Sequence, residues 1–262
     1  MSSPDIRAGN PLKDILGSGG TAIGTFVRMA SPDVVELAGY AGCQFVLIDM
    51  EHSPVTWERA GTMVMAAEAA GTVPVIRLSR GSRDLVSRAL DIGAHGVMVA
   101  QVETAEETAA IVAATRYGSD GTRGTAGTRR SAFGLTMSLA EFVPAANAAT
   151  FVSVQVETVA SVDNVESIAA VEGVDCLFIG LSDLSVDLDL PGQWDHPDVL
   201  EQVARVQAAC DANGVACGVP VPDAGFAAGF MDRGARFIAT GDVGVLGRAM
   251  RSFVEEVRRS AG

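Results

Sequence analysis

Four polar clusters in this chain each end an apolar run, and together they carry the groups needed to polarise a carbonyl and move a proton. They are Asp49-Met50-Glu51-His52, Arg77 at the end of the run 73–76, Gln155-Val156-Glu157, and Gly180-Leu181-Ser182-Asp183. Glu157 and Asp183 offer hard oxygen donors, which suit Mg²⁺ or Mn²⁺ better than a thiolate-preferring metal. A guanidinium such as Arg77 can face negative charge, and an imidazole such as His52 exchanges protons near neutral pH. Each residue also has a plainer reading. Arg77 could snorkel outward, Asp49 could cap the following helix, and Glu157 and Asp183 lie near helix starts, where the dipole favours acids. Taken together, an acidic group with no lysine to balance it favours a cation site. His95 precedes the fourth strand and reads as structural, and His196, in Trp194-Asp195-His196-Pro197, resembles a helix entry.

These clusters need a scaffold that brings strand ends together. Short β-branched runs over 22–27, 45–48, 73–78, 96–100, 151–156, 176–180, 215–219 and 237–240 predict eight strands. Their near-continuous apolar character suits parallel strands covered on both faces. Helical patterns fall between and after them, over 32–41, 57–70, 82–90, 105–115, 159–170, 198–212, 223–233 and 243–257. This alternation predicts one α/β domain over 1–262, a (β/α)8 TIM barrel whose site lies at the C-terminal strand ends. A doubly wound sheet would carry a glycine-rich phosphate turn after its first strand, and Val27-Arg28-Met29-Ala30 is not one. No nucleotide cofactor is expected.

Composition narrows the chemistry. The 262 residues carry a net charge of −13, so binding through phosphate neutralisation, and with it a nucleic-acid partner, is not expected. Of 19 basic residues only Lys13 is a lysine, which argues against Schiff-base chemistry and against PLP. Cys43, Cys176, Cys210 and Cys217 lack the paired spacing of a zinc site and read as buried thiols. There is no signal-peptide pattern at the N-terminus and no run of roughly 18 apolar residues, so a cytoplasmic protein without membrane contact is expected. The stretch 117–137 reads as a long glycine-rich loop. With Arg116 it holds four arginines, Arg116, Arg123, Arg129 and Arg130, which suit either a carboxylate ligand or a neighbouring subunit.

Over nearly its whole length the chain resembles the metal-dependent pyruvate aldolases of the HpcH/HpaI family. The resemblance runs from Asn10-Pro11-Leu12-Lys13 through Asp49-x-Glu51-His52, Val75-Ile76-Arg77, Leu90-Asp91-Ile92-Gly93, Gly121-Thr122-Arg123-Gly124, Gln155-x-Glu157 and Gly180-x-x-Asp183-Leu184 to Thr240-Gly241-Asp242. It departs at Ala100 and Leu181, where proline is usual. The resemblance implies a TIM barrel of the phosphoenolpyruvate/pyruvate type that cleaves a 4-hydroxy-2-oxo acid to pyruvate and an aldehyde. Glu157 and Asp183 would hold the divalent cation (Mg²⁺, Mn²⁺ or Co²⁺), and Arg77 would stabilise the enolate. His52, paired with Asp91, would exchange the proton. Asp49, Glu51 and Gln155 would orient groups, and the backbone of Gly180, Leu181 and Ser182 would meet the substrate carboxylate. It also implies a homo-oligomer, a hexamer built as a trimer of dimers, with the last helix exchanged between subunits. An oxaloacetate decarboxylase or citrate-lyase-like carbon–carbon lyase on the same site is the alternative. A non-catalytic carboxylate binder would have no use for His52.

Overall fold

The computed structural model describes residues 6–261. Eight parallel strands close into a barrel in chain order: β1 (Ala22–Val27), β2 (Phe45–Asp49), β3 (Val73–Leu78), β4 (Gly96–Val99), β5 (Phe151–Val156), β6 (Cys176–Ile179), β7 (Ala216–Pro220) and β8 (Phe237–Gly241). Around it run α1 (Pro11–Gly17), α2 (Pro32–Tyr40), α3 (Trp57–Ala70), α4 (Arg83–Asp91), α5 (Ala105–Thr115), α6 (Leu139–Ala149), α7 (Val159–Asp163), α8 (Val165–Ala169), α9 (Leu181–Asp187), α10 (Pro197–Asn213), α11 (Ala224–Met231) and α12 (Asp242–Ala261). The predicted α/β barrel is the observed fold.

Strand geometry explains how the site is built. Alternate residues of a strand face opposite sides, so each strand sends one series into the barrel and the other against the helices. The outward set, including Val46, Ile48, Ile76, Val152, Val154 and Ile179, packs under the helices. The inward set, including Phe45, Leu47, Val73, Val75, Phe151, Phe178 and Phe237, fills the lower barrel. Phe45 stacks on Phe237 with ring centroids 4.0 Å apart. Gly218 leaves room for these rings, since a Cβ there would lie 2.7 Å from Phe178. Continuing the inward series upward gives Phe45–Leu47–Asp49, Val73–Val75–Arg77 and Phe151–Ser153–Gln155, with Glu157 one step beyond. The interior therefore changes from apolar to polar at the C-terminal mouth.

The opposite end is sealed. Leu12 and Leu16 of α1 join the barrel core from below. Asn10 caps α1 and donates through Nδ2 to the carbonyls of His95 (3.1 Å) and Ala149 (2.9 Å). Lys13 pairs with Asp175 at 3.0 Å at this end, far from the polar mouth.

The arginine loop also belongs here rather than at the mouth of its own barrel. Two 3₁₀ turns, Gly118–Asp120 and Arg129–Gly134, order it. Arg129 binds Glu68, which also meets His95 at 3.4 Å, and Arg123 binds Asp91 at 2.7 Å and lies over the Tyr117 ring. Burial first, then the Arg130 charge, lowers His95 to about 4, so its ring is neutral and structural, as its position before β4 predicts.

Three helices escape the sequence pattern: α1, α6 and α9. α6 begins with a Ser138–Glu141 capping box and carries Pro144 inside it. The single helix expected over 159–170 divides at Asn164 into α7 and α8. Among the described residues no helix is long and apolar enough to cross a membrane.

Candidate active site

The C-terminal mouth opens on a cavity of about 470 Å³ lined by residues from the expected clusters, among them His52, Arg77, Gln155, Gly180, Ser182 and Asp183. Asp49 and Arg77 are register partners across β2 and β3, so their side chains emerge together. Arg77 donates from Nε to Asp49 Oδ1 at 3.0 Å and from Nη2 to Oδ2. The amides of Glu51 (3.0 Å) and His52 (3.1 Å) also donate to Asp49 Oδ1, which folds the β2 end into a tight turn. Burial pushes the Asp49 carboxyl up, but the Arg77 bonds and charge and these amides outweigh it and hold it below its ordinary value. Asp49 is thus a fixed anion that aims a guanidinium.

Arg77 has five N–H donors, and Asp49 takes two. Its Nη1 reaches Gln155 Oε1 and Glu51 Oε2 only loosely, both at 3.5 Å. The guanidinium lies 4.7 Å from the Phe26 ring centroid, so one face is dry while the remaining donors border the cavity. Gln155 then passes the connection on, donating from Nε2 to Glu157 Oε2 at 2.8 Å. Asp49, Arg77, Gln155 and Glu157 form one hydrogen-bonded chain across β2, β3 and β5.

Glu157 is the outlier in charge. The other carboxylate oxygen accepts the Gln101 amide at 2.7 Å, from a backbone held at φ 56°. Burial, moderated by that amide, together with the nearby Asp183 and Glu51 charges raises the Glu157 carboxyl to about 7. Glu51 is raised as well, through burial first. The Arg77 charge lowers both carboxyls but does not offset their burial, and acids crowded in this way are the electrostatic signature of a site that gains from a cation.

The donor chemistry of Glu157 and Asp183 fits a hard divalent ion, and Gly180 supplies the space. A Cβ at Gly180 would lie 2.5 Å from Glu157 Cβ and would strike the Oε2 carboxylate atom. Among the described residues no group of three or more His, Cys, Asp or Glu gathers as a metal cage. We expect Gly180→Ala to keep the barrel but lose at least tenfold in metal affinity, because the carboxylate must rotate away. Calorimetric titration with Mn²⁺ checks this, and an unchanged affinity would refute the role of that close approach.

His52 follows the same turn and is largely exposed at the cavity rim, with Nε2 at 3.8 Å from Glu51 Oε2. Asp91 is not beside it. It closes α4 at the N-terminal face, bound to Arg123, so the His52–Asp91 pair expected from the resemblance is not formed within one chain. The reason is topological: β2 ends at the mouth, whereas α4 runs back down the barrel. Leu181 is buried at the start of α9, while Ser182 and Asp183 are exposed to the cavity. Arg28 and Arg248, which lie outside the four polar clusters, also line the cavity. For Arg28 a signal was present, because it continues the inward series Ala22–Gly24–Phe26.

A parallel eight-stranded barrel with its only lysine at the closed end and a carboxylate–guanidinium chain at the open end has the architecture of a TIM-barrel enzyme. The profile of the HpcH/HpaI aldolase/citrate lyase family matches residues 22–248, and the chain belongs to that family. It is 38% identical over 257 residues to the hydroxypyruvate/pyruvate aldolase of Paraburkholderia phytofirmans, covering 95% of this chain and 98% of that protein. It is 33% identical over 252 residues to the 5-keto-4-deoxy-D-glucarate aldolase of Salmonella paratyphi C, covering 95% and 97%. A crystal structure of a family member from Burkholderia cenocepacia superposes with a TM-score of 0.90 at 38% identity, covering 95% of this chain and 99% of that one. The protein is a carbon–carbon lyase.

Proposed function

We propose that this protein is a divalent-metal-dependent aldolase that splits a 4-hydroxy-2-oxo acid into pyruvate and an aldehyde. The observation that carries the reading is the buried chain from Asp49 through Arg77 and Gln155 to Glu157. Cleaving a carbon–carbon bond beta to a ketone leaves an enolate, whose oxygen needs an electrophile. Lys13 is at the wrong end of the barrel to supply one as an iminium. Glu157 and Asp183 would hold a cation which, when bound, supplies Lewis acidity toward the carboxylate and keto oxygens of the oxo acid.

The chain's own residues do the rest. Arg77, aimed by Asp49, offers its free N–H donors to the keto oxygen as charge develops there. Gln155 keeps Arg77 and the Glu157 carboxylate in register. His52 takes the proton of the 4-hydroxyl as the aldehyde departs. In solution the chain would associate: Leu246, Met250, Phe253 and Val257 form an exposed stripe along α12, which a second copy of the chain would cover in the homo-oligomer.

Removing divalent metal with a chelator is expected to abolish pyruvate release, and Mg²⁺, Mn²⁺ or Co²⁺ to restore it. Full activity in the chelated enzyme would overturn the proposal. A panel of hydroxy-oxo acids, oxaloacetate and CoA esters separates the aldolase from the decarboxylase or citrate-lyase-like alternative, which the family's breadth keeps in view.

A further inference from the structure

The cavity's positive charge is distributed unevenly. Arg77 is committed to Asp49, and Asp183 and Glu157 occupy the β5–β6 wall. The side of the mouth formed by β8 and β1, with β1 across the ring from β5, carries two more guanidiniums. Arg28 follows Phe26 by two positions, on the inward series of β1, and Arg248 lies two turns into α12, just beyond β8. The two strands are neighbours, with Phe26 opposite Gly241 in register, so both arginines sit on one side of the mouth.

Neither side chain makes a hydrogen bond or an ion pair among the described residues. The carboxylate nearest in sequence on that wall is Asp242, and it is occupied. Its Oδ2 accepts the amides of Arg28 (3.0 Å) and Met29 (2.9 Å), and its Oδ1 accepts that of Val243 (2.7 Å). In a chain of net charge −13, two arginines without a carboxylate partner beside one cavity are a departure from the chain's general acidity. Trp194 and Pro222 line the same cavity and give it apolar surface. Such a wall favours an anionic group over a neutral one, because guanidiniums bind carboxylate and phosphate oxygens with charge-assisted hydrogen bonds.

We infer that Arg28 and Arg248 form an anion subsite for the far end of the substrate, so that the departing aldehyde carries a carboxylate or a phosphate. This rests on the aldolase reading and extends it to the substrate's other half. In a ring of eight strands β1 stands across from β5. A substrate whose oxo-acid end lies beside Glu157, just past β5, therefore extends toward the β1 side of the mouth, where Arg28 stands. No covalent bond changes there; the subsite acts through charge-assisted hydrogen bonds.

The test compares kcat/KM for pyruvate release from 4-hydroxy-2-oxo acids of equal chain length that end in a carboxylate, a phosphate ester or an uncharged carboxamide. The wild type is expected to prefer an anionic end at least tenfold, and the better of the two anions identifies the ligand. In Arg28→Ala and Arg248→Ala that ratio is expected to fall about tenfold, chiefly through KM, with partial rescue in Arg28→Lys. Both side chains are exposed, so neither variant threatens folding. The ratio should also shrink with added salt. A wild-type ratio near one, with pyruvate still released from all three substrates, refutes the subsite and leaves the aldolase standing. A ratio unchanged in both alanine variants also refutes it. Absence of pyruvate from every substrate, with metal present, overturns the aldolase reading and the subsite with it.

Discussion

Arg77→Ala is expected to lower kcat for pyruvate release by roughly 10²- to 10³-fold, the usual consequence of removing a preorganised donor from a developing oxyanion. It has a second effect that must be separated from the first. Asp49 is fully buried, and Arg77 is its cationic partner. Losing that partner strands a buried charge, at a cost of about 3 to 5 kcal/mol in stability. A slow enzyme could then simply be a poorly folded one. The double variant Asp49→Asn/Arg77→Ala resolves this, because neutralising the stranded carboxylate restores much of the stability without replacing the guanidinium. Thermal unfolding should recover in the double variant, while kcat stays at the level of Arg77→Ala. Recovery of kcat along with stability would make Arg77 a structural residue and remove it from the chemistry. Arg77→Lys is expected to fold well but remain slow, since an ammonium cannot bridge both Asp49 oxygens and still face the cavity as a planar fork does.

The barrel was legible because its strands are short β-branched runs separated by amphipathic segments and ended by glycines. Gly42, Gly71, Gly93, Gly173, Gly214 and Gly234 all take positive φ after the preceding helix or turn. What escaped was local structure whose pattern is weak or interrupted. α1 is seven residues set among glycines, α9 is seven residues beginning directly after Gly180, and α6 contains Pro144. The mouth was legible for a different reason: polar residues ending apolar strands contradict core formation, and such contradictions point to function. The same logic does not reach Arg248, which sits on a helix face where an arginine is ordinary. Nor does it reach the partner of Asp91, because Arg123 lies 32 residues away in a loop and only the folded chain brings them together.

Glu157→Gln is expected to make the metal-free protein more stable while removing its activity. The folded carboxyl titrates at about 7 against an ordinary value of 4.5, so the fold prefers this group protonated. Its contribution to stability is complete below 4.5 and is lost as the pH rises through 7. Above that point the buried carboxylate costs about 3 kcal/mol relative to a neutral group. Glutamine keeps an acceptor for the Gln101 amide, but its new N–H₂ must share space with the Gln155 amide donor, which takes back part of the gain. The variant should therefore exceed the wild type by about 1 to 2 kcal/mol at pH 8 in the presence of chelator, and by much less at pH 4.5. Thermal unfolding at the two pH values measures this, and the wild-type-minus-variant difference cancels the titrating groups that do not interact with Glu157, leaving Glu157 with its neighbours Glu51 and Asp183. Calorimetry should find no Mg²⁺ or Mn²⁺ binding to the variant, and kcat should fall by roughly 10³-fold or more. Equal stability of the two proteins at both pH values would mean that the Glu157 carboxylate bears no strain in the metal-free fold. Its place as a cation ligand would then have lost its electrostatic basis, because a site built to receive positive charge must be unfavourable for bare negative charge.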